Sequence, residues 1–208
     1  MAFISAPVCH RLGLPLPFDP GPQGLSLAAQ ANPPPYDRAR AVAVYSGAMR
    51  GLIHLLKYGD REDVTALLGR LLVSPMTAPL IAEADVIVPV PLAWRRLVWR
   101  RFNQAAHLAR AAGARCEKPV ALDTLIRQRA TLAQVGLTRV QRRDNVRGAF
   151  RVAKSKRAGI EGKRVLLIDD VITTGSTIDA ASRALLRGGA KAVDVIALAM
   201  VPDARRLD

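Results

Sequence analysis

The residues best suited to chemistry stand together in Val165-Leu166-Leu167-Ile168-Asp169-Asp170-Val171-Ile172-Thr173-Thr174-Gly175-Ser176-Thr177. An apolar run leads into two adjacent carboxylates, then a hydroxyl-rich turn around one glycine, then a helix-forming stretch. Such a turn and helix start present unpaired backbone N–H groups and a partial positive charge, which suits an anion. Thr173, Thr174, Ser176 and Thr177 add hydroxyl donors, and Gly175 permits close backbone approach or positive φ. Together they would cradle a phosphate. Asp169 and Asp170, at the carboxyl end of a predicted strand, would accept hydrogen bonds from a diol or help hold Mg²⁺. No Gly-x-x-x-x-Gly-Lys-[Ser/Thr] occurs, so this is not a Walker A loop.

The elements that must position these residues follow from periodicity. Residues 163–168 and 85–90 are short apolar runs, as expected of buried parallel strands, and 192–200 is a third. Residues 40–46 alternate in strand fashion. Met49, Leu52, Ile53 and Leu56 mark a helix over 47–57, and Val64, Leu67, Leu68, Leu71 and Leu72 mark a second. Helices are also expected over 95–112 and 176–187. Residues 127–150 are polar, basic and weakly patterned, and read as a mobile excursion with a short helix near 138–146. Strands alternating with helices imply an α/β fold, a doubly wound, mainly parallel sheet flanked by helices, over 36–208. Residues 1–35, rich in Pro and Gly, read as a loosely held appendage.

Composition narrows the partners. The 208 residues carry 31 basic and 17 acidic side chains, a net charge of +14. Residues 95–151 alone hold fourteen basic and three acidic residues, whereas 1–94 balance at seven each. A concentrated positive field attracts phosphates, on nucleic acid or on a metabolite. Two cysteines, Cys9 and Cys116, are too few for a disulfide framework and fit a reducing compartment. No apolar run of about 18 residues occurs, and no cationic segment precedes an apolar core at the start. The expectation is a cytoplasmic protein without a membrane span.

The thirteen-residue stretch resembles the signature of type I phosphoribosyltransferases, which bind phosphoribosyl pyrophosphate (PRPP). Further segments resemble the ComF (competence protein F-like) family: Tyr36-Asp37-Arg38-Ala39-Arg40, Leu56-Lys57-Tyr58-Gly59-Asp60-Arg61, Val88-Pro89-Val90-Pro91-Leu92, Arg101-Phe102-Asn103-Gln104-Ala105, and Gln134 through Phe150 with Leu137, Arg139, Arg142, Arg143, Asn145, Val146, Arg147, Gly148 and Ala149. The likeness spans about residues 36–200. It implies that Asp169 and Asp170 hold the ribose hydroxyls as the catalytic pair, that Thr173, Thr174, Gly175, Ser176 and Thr177 wrap the 5-phosphate, and that Mg²⁺ is held mainly by pyrophosphate and diol. It implies a pyrophosphate loop from Pro89, Val90 and Pro91, with Arg95, Arg96 and Lys57 near it. Residues 127–150 would be the flexible loop, with Arg139, Arg143, Asn145 and Arg147 its best ligand-contacting candidates. Purine-salvage members often carry an acid where Thr173 stands. Threonine is no base near neutral pH, which argues against purine salvage. The family usually begins with a zinc ribbon. Here Cys9 is followed at the matching spacing by Leu12, and the second pair would fall on Leu27 and Gln30, so no structural zinc is expected.

The resemblance implies Mg²⁺-dependent transfer of the 5-phosphoribosyl group to an unknown acceptor, linked to DNA uptake. PRPP or another phosphorylated ribose is the implied ligand. The alternative is a non-catalytic module of DNA uptake or processing that binds single-stranded DNA, with Trp94, Trp99, Phe102 and Phe150 available to stack on bases. A PRPP sensor without turnover is a third reading. A homodimer, and contacts with DNA-uptake or recombination proteins, are associations left open.

Overall fold

A computed structural model describes residues 1–21, 23–58, 62–92, 103–129 and 139–202. Its centre is a four-stranded parallel sheet in the order β1-β6-β5-β2, formed by β1 (Arg38–Val44), β6 (Ala192–Met200), β5 (Arg164–Ile172) and β2 (Val86–Pro89). All nine residues of β6 are buried, because both faces of the sheet are covered. Alternate side chains serve the two faces. Leu166, Ile168, Ile196 and Leu198 pack with Met49, Ile53 and Leu56 of α2 (Gly47–Tyr58), Val64, Leu68 and Leu72 of α3 (Glu62–Leu72), Leu80 and Ile81 of α4 (Ala78–Glu83), and Leu108 of α5 (Gln104–Cys116). Val165, Leu167, Val193 and Val195 pack in a second cluster with Ile178, Ala181 and Leu185 of the long helix Ser176–Arg187.

The α/β fold, the helices expected over 47–57 and 176–187 and the three buried strands stand close to where periodicity places them; of the helix expected over 95–112, residues 95–102 lie outside the described residues and the rest forms Gln104–Cys116, four residues longer at its end. The stripe on α3 is narrower than expected, since Leu67 is 42% exposed. β5 runs four residues past Ile168, through both aspartates.

Two features escape local periodicity. A hairpin of β3 (Leu125–Arg127) and β4 (Phe150–Val152), paired antiparallel, clasps the base of the basic excursion. Its short helix α6 (Arg139–Val146) lies where expected and packs on α7 (Ser176–Arg187). The Pro/Gly-rich residues 1–35 are fastened rather than loose. Ile4 N–H donates to the Val42 carbonyl at 2.9 Å, Val44 N–H to Ala2 at 2.8 Å, and Ala39 N–H to Arg11 at 2.7 Å. Gly13 has φ +66°, and a Cβ there would drive into the Ala39 carbonyl, so this crossing needs glycine. Cys9, Leu12 and Leu14 join the core.

The surroundings of Cys9 differ from those expected. Cys9 Sγ accepts from Leu12 N–H at 3.5 Å, and from Ser26 N–H and Ser26 Oγ at 3.3 Å each. Ala29 is buried, whereas Leu27 is 82% exposed. Ser26, rather than Leu27 or Gln30, is the residue that meets Cys9. Burial opposes ionisation of Cys9, but the hydrogen bonds from Ser26, with the Leu12 and Arg11 amides, draw its thiol below the ordinary value.

Candidate functional site

The carboxyl edge of the sheet is built by strands of unequal length. β2 ends at Pro89, paired with Ile168, while β5 continues along β6 as far as Ile172↔Met200. Val90 N–H still donates to the Ile168 carbonyl at 2.8 Å, which puts Val90 and Pro91 level with the aspartates. Asn103 ties this turn down: its Nδ2 donates to the Val90 carbonyl at 3.2 Å, while its Oδ1 caps α5 through Ala105 N–H. Residues Asp169–Ile172 therefore form a ledge, supported by β6 and free of β2.

Asp170 turns toward α2, where its Oδ2 meets Lys57 Nζ at 2.7 Å. Its Oδ1 accepts from Val171 N–H at 2.8 Å, and Asp169 Oδ1 accepts from Asp170 N–H at 2.9 Å. Burial, reinforced by the adjacent charge of Asp170, holds the Asp169 carboxyl well above its ordinary range. Burial works against the Lys57 ammonium, yet the Asp170 carboxylate, with Tyr45 and Asp169 beyond, holds it above its ordinary value.

Beyond the ledge the chain turns into α7. Gly175, at φ 83°, is the N-cap, a left-handed conformation that favours glycine, and it brings no side chain to cover the first-turn amides. Thr174 Oγ1 and Ser176 Oγ stand 3.0 Å apart, and Thr173 and Thr177 are half-buried beside them. Thr174 and Ser176 also line a cavity of about 750 Å³, whose other walls include Arg147 and Gly148 after α6 and Pro33 and Pro34 of the N-terminal segment.

The structure thus gathers Asp169, Asp170 and Lys57 into one cluster, sets Pro89, Val90 and Pro91 beside it, and brings Arg147 to the turn. Arg95 and Arg96, with Trp94, Trp99 and Phe102, lie outside the described residues. Arg139 and Arg143 belong to α6. Asn145 is half-buried and does not line the cavity, and its carbonyl accepts from Arg129. Two other arginines of the excursion have structural partners. Arg129 Nη2 donates to the carbonyls of Asp144, Asn145 and Arg147 at the end of α6, and the Arg127 guanidinium lies 5.1 Å over the Phe150 ring. Phe150, only 2% exposed, is a core residue and is unavailable to stack on a base.

Sequence reasoning missed two further groups. Gln104, 2% exposed at the start of α5, has a buried Nε2 without a hydrogen-bond partner. Arg183 and Arg187 of α7 line the same cavity as Thr174 and Ser176. Their i, i+4 spacing was the available signal, and it is equally the signal of a solvated helix face.

Comparison with known proteins agrees with this geometry. The family profile described as phosphoribosyl transferase domain matches residues 105–208. DNA utilization protein YhgH of Escherichia coli K12 is 35% identical over 193 residues, covering 90% of this chain and 82% of that protein. Competence protein F of Haemophilus influenzae is 31% identical over 200 residues, covering 94% and 85%. Among solved structures, glutamine PRPP amidotransferase from B. subtilis, in complex with ADP and GMP, aligns with a TM-score of 0.46 at 24% identity, covering 69% of this chain and 30% of that one. With a parallel α/β sheet, an acid pair at its carboxyl edge, and relatives matching nearly end to end, the chain belongs to the ComF family of the type I phosphoribosyltransferase superfamily.

Proposed function

We propose that the chain binds PRPP with Mg²⁺ and transfers its 5-phosphoribosyl group to an acceptor, releasing pyrophosphate, in the handling of DNA during uptake. The observation that carries this reading is the ledge with Asp169 and Asp170 set directly before a Gly175-capped, hydroxyl-lined helix start. The turn and first-turn amides of α7 take the 5-phosphate. The carboxylates accept hydrogen bonds from the ribose 2′- and 3′-hydroxyls and fix C1 toward the turn at Val90 and Pro91. Lys57, released from Asp170, has the charge to meet the pyrophosphate. In the transfer the C1–O bond to pyrophosphate breaks, pyrophosphate keeps the electron pair, the acceptor's lone pair bonds C1, and the acceptor's proton passes to solvent. Rate enhancement rests on positioning and on charge placed against the leaving group, and on the carboxylates flanking an oxocarbenium-like centre.

The donor set fits magnesium only in partnership with the ligand. Asp170 is already neutralised by Lys57, Asp169 favours its proton, and among the described residues no three His, Cys, Asp or Glu side chains converge. Bound through the diol and pyrophosphate beside Asp169 and Asp170, Mg²⁺ would supply charge neutralisation of the leaving group. Calorimetry tests the reading: PRPP with Mg²⁺ is expected to bind, and Asp169→Asn with Asp170→Asn to weaken it at least tenfold. Wild-type protein that takes up no PRPP ends the proposal.

The surplus of eleven positive charges in residues 95–151 favours a second reading, a single-stranded DNA module. It predicts an affinity for single strands that falls steeply with salt. Absence of binding at low salt removes it. Among the described residues no helix is long and apolar enough to cross a membrane.

A further inference from the structure

The phosphate turn has two sides. Asp169, Asp170 and Lys57 lie on one and do not line the 750 Å³ cavity; Thr174 and Ser176 do line it, so the turn also opens away from the aspartates. That space runs along one stripe of α7. Ser176, Asp179, Arg183 and Arg187 recur at intervals of three and four residues and share a face. Eleven steps of about 1.5 Å from Ser176 to Arg187 make this stripe roughly 16 Å long. Side chains on a helix lean toward its N-terminus, so Arg183 and Arg187 lean toward the turn. Arg147, Pro33 and Pro34 line the same space.

The cations that line the cavity are not spent among the described residues. The guanidiniums of Arg147, Arg183 and Arg187, all on exposed residues, make no hydrogen bond or ion pair there. Asp144 and Asp179 line the same space, and Asp179 already has a partner, so among the described residues three unpaired cations stand against the one exposed carboxylate of Asp144, with hydroxyls at one end. A bare polyanion would meet those carboxylates, whereas a ligand bearing both phosphoryl oxygens and sugar hydroxyls matches both signs. The volume suits a nucleotide-sized group.

We infer that the cavity holds a substituent attached to the 5-phosphate, so that this protein accepts a ribose 5-phosphate linked through a second phosphoryl group to a nucleoside. The inference rests on the reading that Thr173–Thr177 grip a ribose 5-phosphate, and it goes beyond that reading by assigning a site on the far side of the phosphate. A closed turn would accept only a terminal phosphomonoester.

Ribose 5-phosphate and ADP-ribose, titrated by calorimetry into the full chain, separate the two ideas. ADP-ribose is expected to bind at least tenfold tighter. Arg183→Ala with Arg187→Ala is expected to remove most of that advantage while leaving ribose 5-phosphate within twofold, because neither guanidinium has a structural partner to lose. Arg110→Ala with Arg115→Ala, the same charge removed from exposed positions on α5, is the control and should change neither ligand. Equal affinities in the wild type, a loss shared by both ligands, or an equal loss in the control overturns the inference while the phosphate turn stands. Failure of ribose 5-phosphate to bind the wild type overturns both.

Discussion

At the scale of single residues, the site contains one carboxyl that opposes its own ionisation. Asp169 keeps its proton to higher pH in the folded chain than its ordinary 3.8, through burial and the charge of Asp170. A raised carboxyl contributes stability that is complete below about pH 4 and is lost as pH rises through the folded value. Asp169→Asn, which mimics the protonated form, is therefore expected to melt higher than wild type near pH 7, with the gain shrinking toward pH 4. Thermal melts across that range decide it, and a pH-independent difference contradicts it. Gln104 gives a second residue-scale prediction. A buried amide without a partner costs about 1–3 kcal/mol, so Gln104→Met is expected to raise unfolding free energy by about 1 kcal/mol in urea. Ser182, fully buried with an unpartnered Oγ, is the comparison. Ser182→Ala should stabilise similarly. If only Gln104→Met also weakens PRPP, then Gln104 serves the site rather than the core.

At the scale of elements, the site depends on where β2 stops and where α7 starts. Gly175 at φ 83° makes that start possible. Gly175→Ala is expected to cost about 1–2 kcal/mol through the left-handed penalty and to weaken PRPP at the same time, as urea unfolding and calorimetry would show. Gly13→Ala, which pushes into the Ala39 carbonyl, should loosen the N-terminal segment by about 1–3 kcal/mol and expose Arg11 to trypsin. The helices Gly47–Tyr58 and Ser176–Arg187 were legible in the sequence because each buries one repeating set of apolar residues, and the strand Ala192–Met200 because it is a continuous apolar run buried on both faces. The β3–β4 hairpin was not, since three-residue strands paired across more than twenty residues leave no local period. The fastening of residues 1–35 was hidden for the related reason that its bonds run to β1, far along the chain. Asp169, Asp170 and the hydroxyl turn were legible as types in order, but the choice of Lys57 as partner belongs to α2 packing and had no signature of its own.

At the scale of the whole molecule, the two edges of the sheet are treated oppositely. At the amino edge, Asp194, fully buried, accepts from Arg38 at 2.8 Å and from Arg164 at 2.9 Å, while Glu83 and Asp37 take the remaining guanidinium faces. This network joins β1, β6, β5 and α4 and leaves its cations paired. Removing one partner of a buried pair strands the others, so Asp194→Ala is expected to cost about 3–5 kcal/mol in urea unfolding without altering affinity for PRPP measured on folded protein. The carboxyl edge carries the ledge and turn, with the ion pair of Lys57 and Asp170 across it. On the proposed function, that contact would make ligand uptake an exchange of counter-ions rather than a fresh gathering of charge. A metal-bearing sugar phosphate arriving at Asp170 would displace an ammonium that then has new oxygens to face, so the crevice would hold nearly the same electrical balance vacant or filled. The resting protein is spared the repulsion of two bare carboxylates, and the grip on a sugar should respond only mildly to ionic strength.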